Sequence, residues 1–511
     1  MSFKLYIPFI WVSYNYQNFG IFTYNLKHLE FFLFECFLLC LLCFFFYYIL
    51  INKISNYLNI LNILIFFFII FINTKNNISY IFNKNYIFDN VTNLFKIVLI
   101  FFFIFFLFFV KNHVKNSFSL IKENEYLNYF LLIFFFLCFM IHSYDLISFF
   151  ITIEASTFIL IALVYLQNYS TANKEAGFKF FFLHALASSC FIIAILIFLF
   201  LFKTTNYLTL IYYFLYSNII FKIFTNFIYL NVLIYLALIL VFFFIMFKFS
   251  IFPCHFWIDS FYEGAPLLII IFFSTIYKLA IISFYFKIFF FICIKFDKYF
   301  FLILLFSIIY GAHLAFLQKK IKRYWAFSTI NNFGFFFFCT IFCNYFWGLE
   351  IGLFFILTYF LMSFFFFIIL FYTRNLITGN LIYYISQFAY LKNKYIIWIL
   401  SFLFLSFAGI PPFIGFFGKF FIFSGIIFIN YFLVIFFFII YSLISAIYYL
   451  RILKQIFFLE FKKNNNQFYF FINFYMYIIS NIFLIFFIFS FYSTSLIFNI
   501  CSFWIKNLTT I

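Results

Sequence analysis

The sequence predicts an all-α, polytopic membrane helix bundle of about fourteen transmembrane helices, and three observations carry that prediction. Hydrophobic residues make up 68% of the 511-residue chain and charged residues 9%, where a soluble domain carries about a quarter charged residues; mean hydropathy is +1.17. Apolar runs near the ~20 residues that cross a bilayer recur along almost the whole chain, leaving no room for a sizeable aqueous domain. Four of the five prolines fall in two blocks, Pro253 with Pro266 and Pro411 with Pro412, each beside a lysine inside an apolar stretch.

The expected spans, in chain order, cover 31–51, 57–72, 94–110, 127–143, 146–166, 177–202, 229–257, 266–286, 299–317, 325–343, 347–372, 396–428, 430–457 and 468–500. The first three are Phe-, Leu- and Ile-rich and are separated by Asn- and Lys-rich breaks, Asn73 to Asn77 and Lys111 to Glu125, which read as solvated loops, as does Lys462 to Gln467. The fifth, LISFFITIEASTFILIALVYL, carries Glu154 at its middle, and the sixth carries His184. The piece 207–224, with Tyr212, Tyr213 and Lys222 among apolar residues, reads as an interfacial helix. The seventh and twelfth spans are too long for one crossing, and both hold proline with a nearby lysine. Lipid cannot hydrogen-bond exposed backbone, so such a break survives only where protein or a water-filled cavity receives the freed groups. Interrupted apolar segments at corresponding places in two halves mark a transporter's site. The expected organisation is therefore two five-helix inverted repeats, spans four to eight and nine to thirteen, with broken helices near Pro253 and Pro411. The chain then divides into N-terminal helices (1–126), a first repeat (127–290), a second repeat (291–457) and a C-terminal helix (458–511).

The formal charge of +18 does not describe a nucleic-acid surface, because the lysines are scattered singly between apolar runs instead of forming a basic face. Their small excess in alternate loops puts the termini outside. Phe occurs 111 times and Tyr 41 times, while arginine stands only at Arg323, Arg374 and Arg451, a bias that matches AT-rich codons and an organellar gene. Met1 to Gln17 shows neither leader pattern, so mitochondrial synthesis and multi-pass insertion into the mitochondrial inner membrane are expected. The ten cysteines include a C-x-x-C, Cys40 with Cys43, beside Cys36. An apolar helix supplies no cation to activate these thiols, and no second pair completes a zinc or iron-sulfur set, so the reading is structural, with no metal and no cofactor in this chain.

The ionisable residues inside the spans carry the function. A charged side chain at bilayer depth is costly and usually faces the bundle interior on an ion or proton route. Lys248 precedes the break at Pro253 and Lys419 follows the break at Pro411–Pro412, so both can meet carbonyls or water freed there. Lys278 lies mid-span with Ser274 and Thr275 at i−4 and i−3, one polar stripe on a regular helix. Burial disfavours the charged form of Glu and Lys alike and mutual attraction restores it, so a small rearrangement can move a proton between them. Two plainer readings stay open: these residues lie at interfacial span ends, or Glu154 and a lysine form a static pair that fixes helix register. His184 and His313 also fall within spans, where imidazole either relays protons or bonds to backbone. Lys319, Lys320, Lys322 and Arg323 form the densest charge run, expected as a solvated anchoring loop; Ser328, Thr329, Asn331 and Asn332 follow it into the tenth span and suit ordered water.

With these residues in place, FKFSIFPCHFWIDSFYEGAP, STIYKLAIISF, KKIKRYWAFSTINNFGF and FAGIPPFIGFFGKFFIF resemble, in the same order, the subunit 2 family of mitochondrial NADH:ubiquinone oxidoreductase, respiratory complex I. The resemblance runs from about Tyr126 to Arg451. It implies an antiporter-like fold of fourteen helices, the seventh and twelfth broken, in the proton-pumping arm. It also implies that Glu154 is the fifth-helix glutamate paired with the seventh-helix Lys248, that Lys278 is the eighth-helix relay lysine, and that Lys419 is the twelfth-helix lysine passing protons outward. Implied partners are the other complex I membrane-arm subunits in a hetero-oligomer within the lipid bilayer. Subunit 4 usually has glutamate where Lys419 stands, and subunit 5 ends in a lateral helix; the bacterial cation/proton antiporter subunits share the fold and form the nearest alternative. Asp259-Ser260 replaces the Pro-Asp of many relatives, and Asn332 stands where histidine is common, so bridging water takes that step if no side chain does. A haem-binding cytochrome lacks suitably paired histidines here, and a scaffold without pumping would gain nothing from four buried ionisable residues.

Overall fold

The computed structural model describes residues 79–81, 85–117, 120–166, 171–213, 228–289, 297–342, 345–375, 382–391, 393–428, 432–458, 468–470 and, except 496 and 504, 494–505. The first two expected spans, the C-x-x-C and most of the fourteenth span lie outside the described residues.

Phe and Ile are indifferent helix formers in water, yet these segments are helical because in hydrocarbon each N–H and C=O must find its partner within the chain. Helix α1 (Asn90–Ser117) is preceded by Asp89, whose Oδ1 accepts the Thr92 N–H at 2.9 Å while the Asp89 N–H donates to Thr92 Oγ1 at 3.0 Å, a reciprocal N-terminal cap. There follow α2 (Leu120–His142), α3 (Leu146–Leu166), α4 (Thr171–Phe202), α5 (Ile228–Phe249) and the short α6 (Ile258–Gly264). Helix α7 is composite, with α-helical turns at Leu267–Ile271 and Lys278–Phe284 each followed by a π-helical stretch, Phe272–Tyr277 and Tyr285–Phe289. Then come α8 (Asp297–Leu317), α9 (Ile321–Phe342), α10 (Tyr345–Tyr372), α11 (Lys394–Ala408), α12 (Ile414–Ile427) and α13 (Phe432–Phe458).

The expectation of helix throughout needs correcting at the loops. Ser79–Ile81 pairs antiparallel with Tyr86–Phe88, and Thr373–Asn375 with Phe468–Phe470. These pairs sit beyond the ends of the helices that precede or follow them.

Both expected breaks are present. Helix α5 stops at Phe249, Ser250 takes a left-handed φ of 58°, and the chain turns through Pro253 before α6. Trp257 reaches back across the gap, donating its indole N–H to Phe247 O at 3.1 Å. In the second break α11 ends on Gly409, whose φ of 80° is the left-handed C-terminal cap that glycine adopts without penalty. Its N–H donates to Leu405 O at 3.2 Å and Ser406 O at 3.1 Å.

The apolar spans sort into two environments. Every residue of Leu267–Phe286 and nearly all of Ile321–Phe342 are covered by protein, so α7 and α9 form the middle of the bundle. Helices α4 and α13 leave Leu186, Leu196, Phe200, Phe436, Leu443 and Ile447 exposed, an apolar outer face suited to lipid. Helix α6 packs against both α4 and α9, α10 against α9 and α12, and α11 against α13.

Candidate functional site

Three buried lysines occupy three successive positions in this frame. On α5, one turn before the break, Lys248 is buried and its Nζ is hydrogen-bonded to Nε2 of His184 from α4. The other ring nitrogen of His184, Nδ1, lies 3.8 Å from Oε2 of Glu154 on α3. The imidazole therefore stands between the carboxylate and the amine, and the expected pair of Glu154 with Lys248 is a triad across three helices. Glu154 Oε1 is buried without a partner among the described residues, and the Lys248 amine also lies 5.1 Å from the Phe244 ring. Which ring nitrogen of His184 carries the proton follows from whether Lys248 donates or accepts, so the triad has two proton arrangements with the same heavy atoms.

Lys278 is fully buried at the point where α7 leaves its first π-helical stretch. Its Nζ has no hydrogen-bond partner among the described residues and faces the rings of Phe333 at 4.4 Å and Phe273 at 5.8 Å. The expected polar stripe is corrected here: Ser274 and Thr275 donate to Ile271 O, at 3.3 and 2.7 Å, instead of facing the lysine. The π-helical turn supplies the reason, since its wider i→i+5 pitch removes the i−3/i−4 alignment on which the stripe depended.

Lys419, in the middle of α12, uses the second break as anticipated. Its amine donates to Phe407 O at 3.2 Å, Ala408 O at 2.9 Å and Ser445 Oγ at 3.1 Å. The two carbonyls are those that the end of α11 leaves without helical partners. Gly409 is packed so closely that a Cβ there would lie 2.9 Å from Lys419 Cδ.

Two candidates separate from this row to different degrees. Asn332 is buried on α9 and donates to Ser328 O at 3.0 Å. His313 sits on an exposed part of α8 with its ring 6.0 Å from Tyr441 and does not join the lysines.

Two clusters escaped the sequence reading. The first lies at the membrane boundary, where the carboxylate of Glu263, at the end of α6, accepts hydrogen bonds from Lys320 Nζ, Arg323 Nε and, at 2.6 Å, Tyr383 OH. Lys322 Nζ donates to Ala265 O at 2.6 Å. The charge run expected as a solvated loop is thus partly tied to the first half of the chain; the signal available was the lone glutamate in FYEGAP facing four cations. Burial works to raise the Glu263 carboxyl, and the hydrogen bonds from Lys320 and Tyr383 with the charges of Arg323 and Lys320 outweigh it, holding the group below its ordinary value. The hydrogen bond to Glu263 in turn raises the Lys320 amine.

The second cluster is a set of buried tyrosines around Asn331 and Asn332. The Asn331 amide donates to Tyr448 OH at 3.2 Å, and the Tyr448 and Tyr449 rings are 4.5 Å apart. Tyr324 meets both, at 5.5 and 6.0 Å. With 41 tyrosines in the chain, nothing in the sequence distinguishes these few.

Broken helices, lysines buried beside the breaks and an outer apolar face define a membrane helix bundle that keeps ionisable side chains in its interior. Residues 143–445 match the family described as NADH:quinone oxidoreductase/Mrp antiporter, TM, and the chain belongs to that family. It is 28% identical over 394 residues to NADH-quinone oxidoreductase subunit N of Ruthia magnifica subsp. Calyptogena magnifica, covering 75% of this chain and 78% of that protein. It is 29% identical over 325 residues to NADH-ubiquinone oxidoreductase chain 2 of Marchantia polymorpha, covering 63% of this chain and 64% of that one. Bacterial and mitochondrial proteins are thus both among its relatives. Its fold matches a chain of respiratory complex I from Thermus thermophilus with a TM-score of 0.66 at 19% identity, over 85% of this chain and 92% of that chain.

Proposed function

We propose that this chain is a proton-translocating, antiporter-like membrane subunit of an NADH:quinone oxidoreductase, of the type called subunit N or chain 2, and that protons move along Glu154, His184, Lys248, Lys278 and Lys419. The observation that carries the proposal is the burial of three lysine amines on three helices of the bundle, two of them beside breaks in the helical hydrogen bonding. A cation at that depth is retained against a large desolvation cost, which a lipid-facing or purely packing role does not call for. The composition and the Marchantia relative support the finer reading that the assembly is the mitochondrial one, in the inner membrane. Its partners are then the other membrane-arm subunits, and the redox groups sit elsewhere, with quinone reduction supplying the energy. The two five-helix repeats, at 127–290 and 291–457, remain our assignment, supported by the like position of lysine and break in each half.

Replacing Lys248 by Met in the assembled complex tests the reading. Proton pumping per electron is expected to fall at least about tenfold, a modest share of what a positioned acid–base group contributes, and quinone reduction to slow with it while assembly persists. Normal pumping by an assembled Lys248→Met complex contradicts the proposal. The family also covers cation/proton antiporters, so a second reading is an antiporter subunit acting without redox partners. Co-purification separates the two: a chain that transports in vesicles free of flavin and iron-sulfur subunits belongs to the second.

A further inference from the structure

The lysine row has a gap between Lys278 and Lys419, and the tyrosine cluster lies across it. On one side the Lys278 amine faces the Phe333 ring, which is 6.2 Å from the ring of Tyr359 on α10. On the other side Phe407, whose carbonyl accepts the Lys419 amine, stacks on Tyr449 at 5.3 Å and meets Tyr359 at 6.2 Å. Asn332 lies beside both Tyr359 and Tyr449.

The hydroxyls of Tyr324, Tyr359 and Tyr449 and the carbonyl oxygen of Asn331 are buried and make no well-formed hydrogen bond among the described residues, with Asn332 standing close to the Tyr359 and Tyr449 hydroxyls and Tyr448 and Ser328 close to that of Tyr449. Their rings are almost wholly covered. Buried polar atoms are seldom left unsatisfied, and several close together suit bridging by ordered water. A group of phenols facing one another in the middle of an apolar bundle gains nothing over phenylalanine in packing. It adds only hydroxyls.

We propose that Tyr359 and Tyr449, with Tyr324 and Asn331, line a hydrated relay that carries protons between Lys278 and Lys419, in place of a titrating side chain at Asn332. The inference rests on the lysine row acting as the proton route. Each neutral hydroxyl accepts a hydrogen bond from the water or amine on one side and donates to the next on the other. As the proton arrives on the oxygen lone pair, the oxygen's own proton leaves to the next water, so no net charge stays on the phenol and no oxidant is needed. The amide of Asn332 cannot do this, since its nitrogen only donates and its oxygen only accepts.

The test uses the whole complex in proteoliposomes, with Tyr359→Phe, Tyr449→Phe and the pair together. These changes keep the rings and remove only the hydroxyls. The expected result is an intact complex whose proton-to-electron ratio falls severalfold in the pair, with a changed solvent deuterium isotope effect on turnover. Tyr126→Phe, far from the cluster on α2, is expected to leave both unchanged. Should the paired variant not assemble, the two single variants are judged by the same ratio and isotope effect. Lys419→Met separates the levels of failure. If it stops pumping while the assembled tyrosine variants pump at the parental ratio and isotope effect, the relay is overturned and the lysine route stands; if Lys419→Met also pumps normally, the route itself falls. An experimental density map showing the hydroxyls closed on one another, with no water among them, equally overturns the relay.

Discussion

At the scale of single residues, the arrangement of Glu154, His184 and Lys248 makes the imidazole the joint of the first half-site. Glu154 and Lys248 each reach His184, so on the proposed route a proton passing between them meets a ring nitrogen on either side. Replacing His184 by Leu removes that joint and is expected to reduce proton translocation by about tenfold or more, within the range of one acid–base group. His184→Gln, which retains a donor and an acceptor, is expected to recover part of it; proton-to-electron ratios in reconstituted vesicles measure both. If His184→Leu pumps as well as the parent, His184 has no part in the proposed route. Glu154, Lys248, Lys278 and Lys419 were legible from sequence because a charge in an apolar run contradicts its surroundings. His184 was legible as a candidate only, since its place depends on a contact with a residue 64 positions away. The tyrosines were not legible at all: tyrosine is tolerated in apolar spans, and only tertiary packing shows which hydroxyls converge.

At the scale of elements, the second break depends on two glycines. Gly409 holds a φ of 80°, and a Cβ there would lie 2.9 Å from Lys419 Cδ and 3.3 Å from its Nζ. Gly409→Ala thus carries a left-handed backbone cost of about 1–2 kcal/mol and pushes on the amine, so the expected loss is in pumping more than in assembly. At Gly415 a Cβ would lie 1.9 Å from Ser406 O, backbone against backbone, which nothing flexible can relieve. Gly415→Ala is therefore expected to part α12 from α11 and lower the amount of assembled complex on native gels; equal assembly of the two variants contradicts this ordering. Spans that are unbroken apolar runs of bilayer length were easy to place from sequence, and α3 covers Leu146–Leu166 as expected. The breaks were legible because proline cannot continue a helix. The π-helical stretches of α7 were not, because Phe272–Tyr277 reads as ordinary apolar helix.

At the scale of the whole molecule, Glu263 fastens α6 to the turn before α9 and to Tyr383 beyond α10, binding sequence-distant parts at one membrane face. The lysines and arginine it holds were visible as a charge run, but a run of one sign reads as solvated unless its counter-charge is known, and that lies 57 to 60 residues earlier. The pH dependence of this knot has a definite sign. The Glu263 carboxyl titrates below its ordinary 4.5 in the folded chain, so its share of stability is fully present above about pH 4.5 and is lost as pH falls through the lower folded value. The Lys320 amine titrates above its ordinary 10.5, so its share is present below about pH 10.5 and is lost as pH rises through the folded value. Between those limits the knot is intact and pH-independent. Lys320 and Arg323 are about a third exposed, which screens the pairs and holds the cost of Glu263→Gln to about 1–2 kcal/mol near neutrality. The variant is expected to melt lower than the parent at pH 7 in the detergent-solubilised complex, and the difference to narrow as pH drops below 4.5, because acid removes the same negative charge from the parent. A gap between the two melting curves that stays constant down through that range would mean that Glu263 holds this face by shape and not by charge.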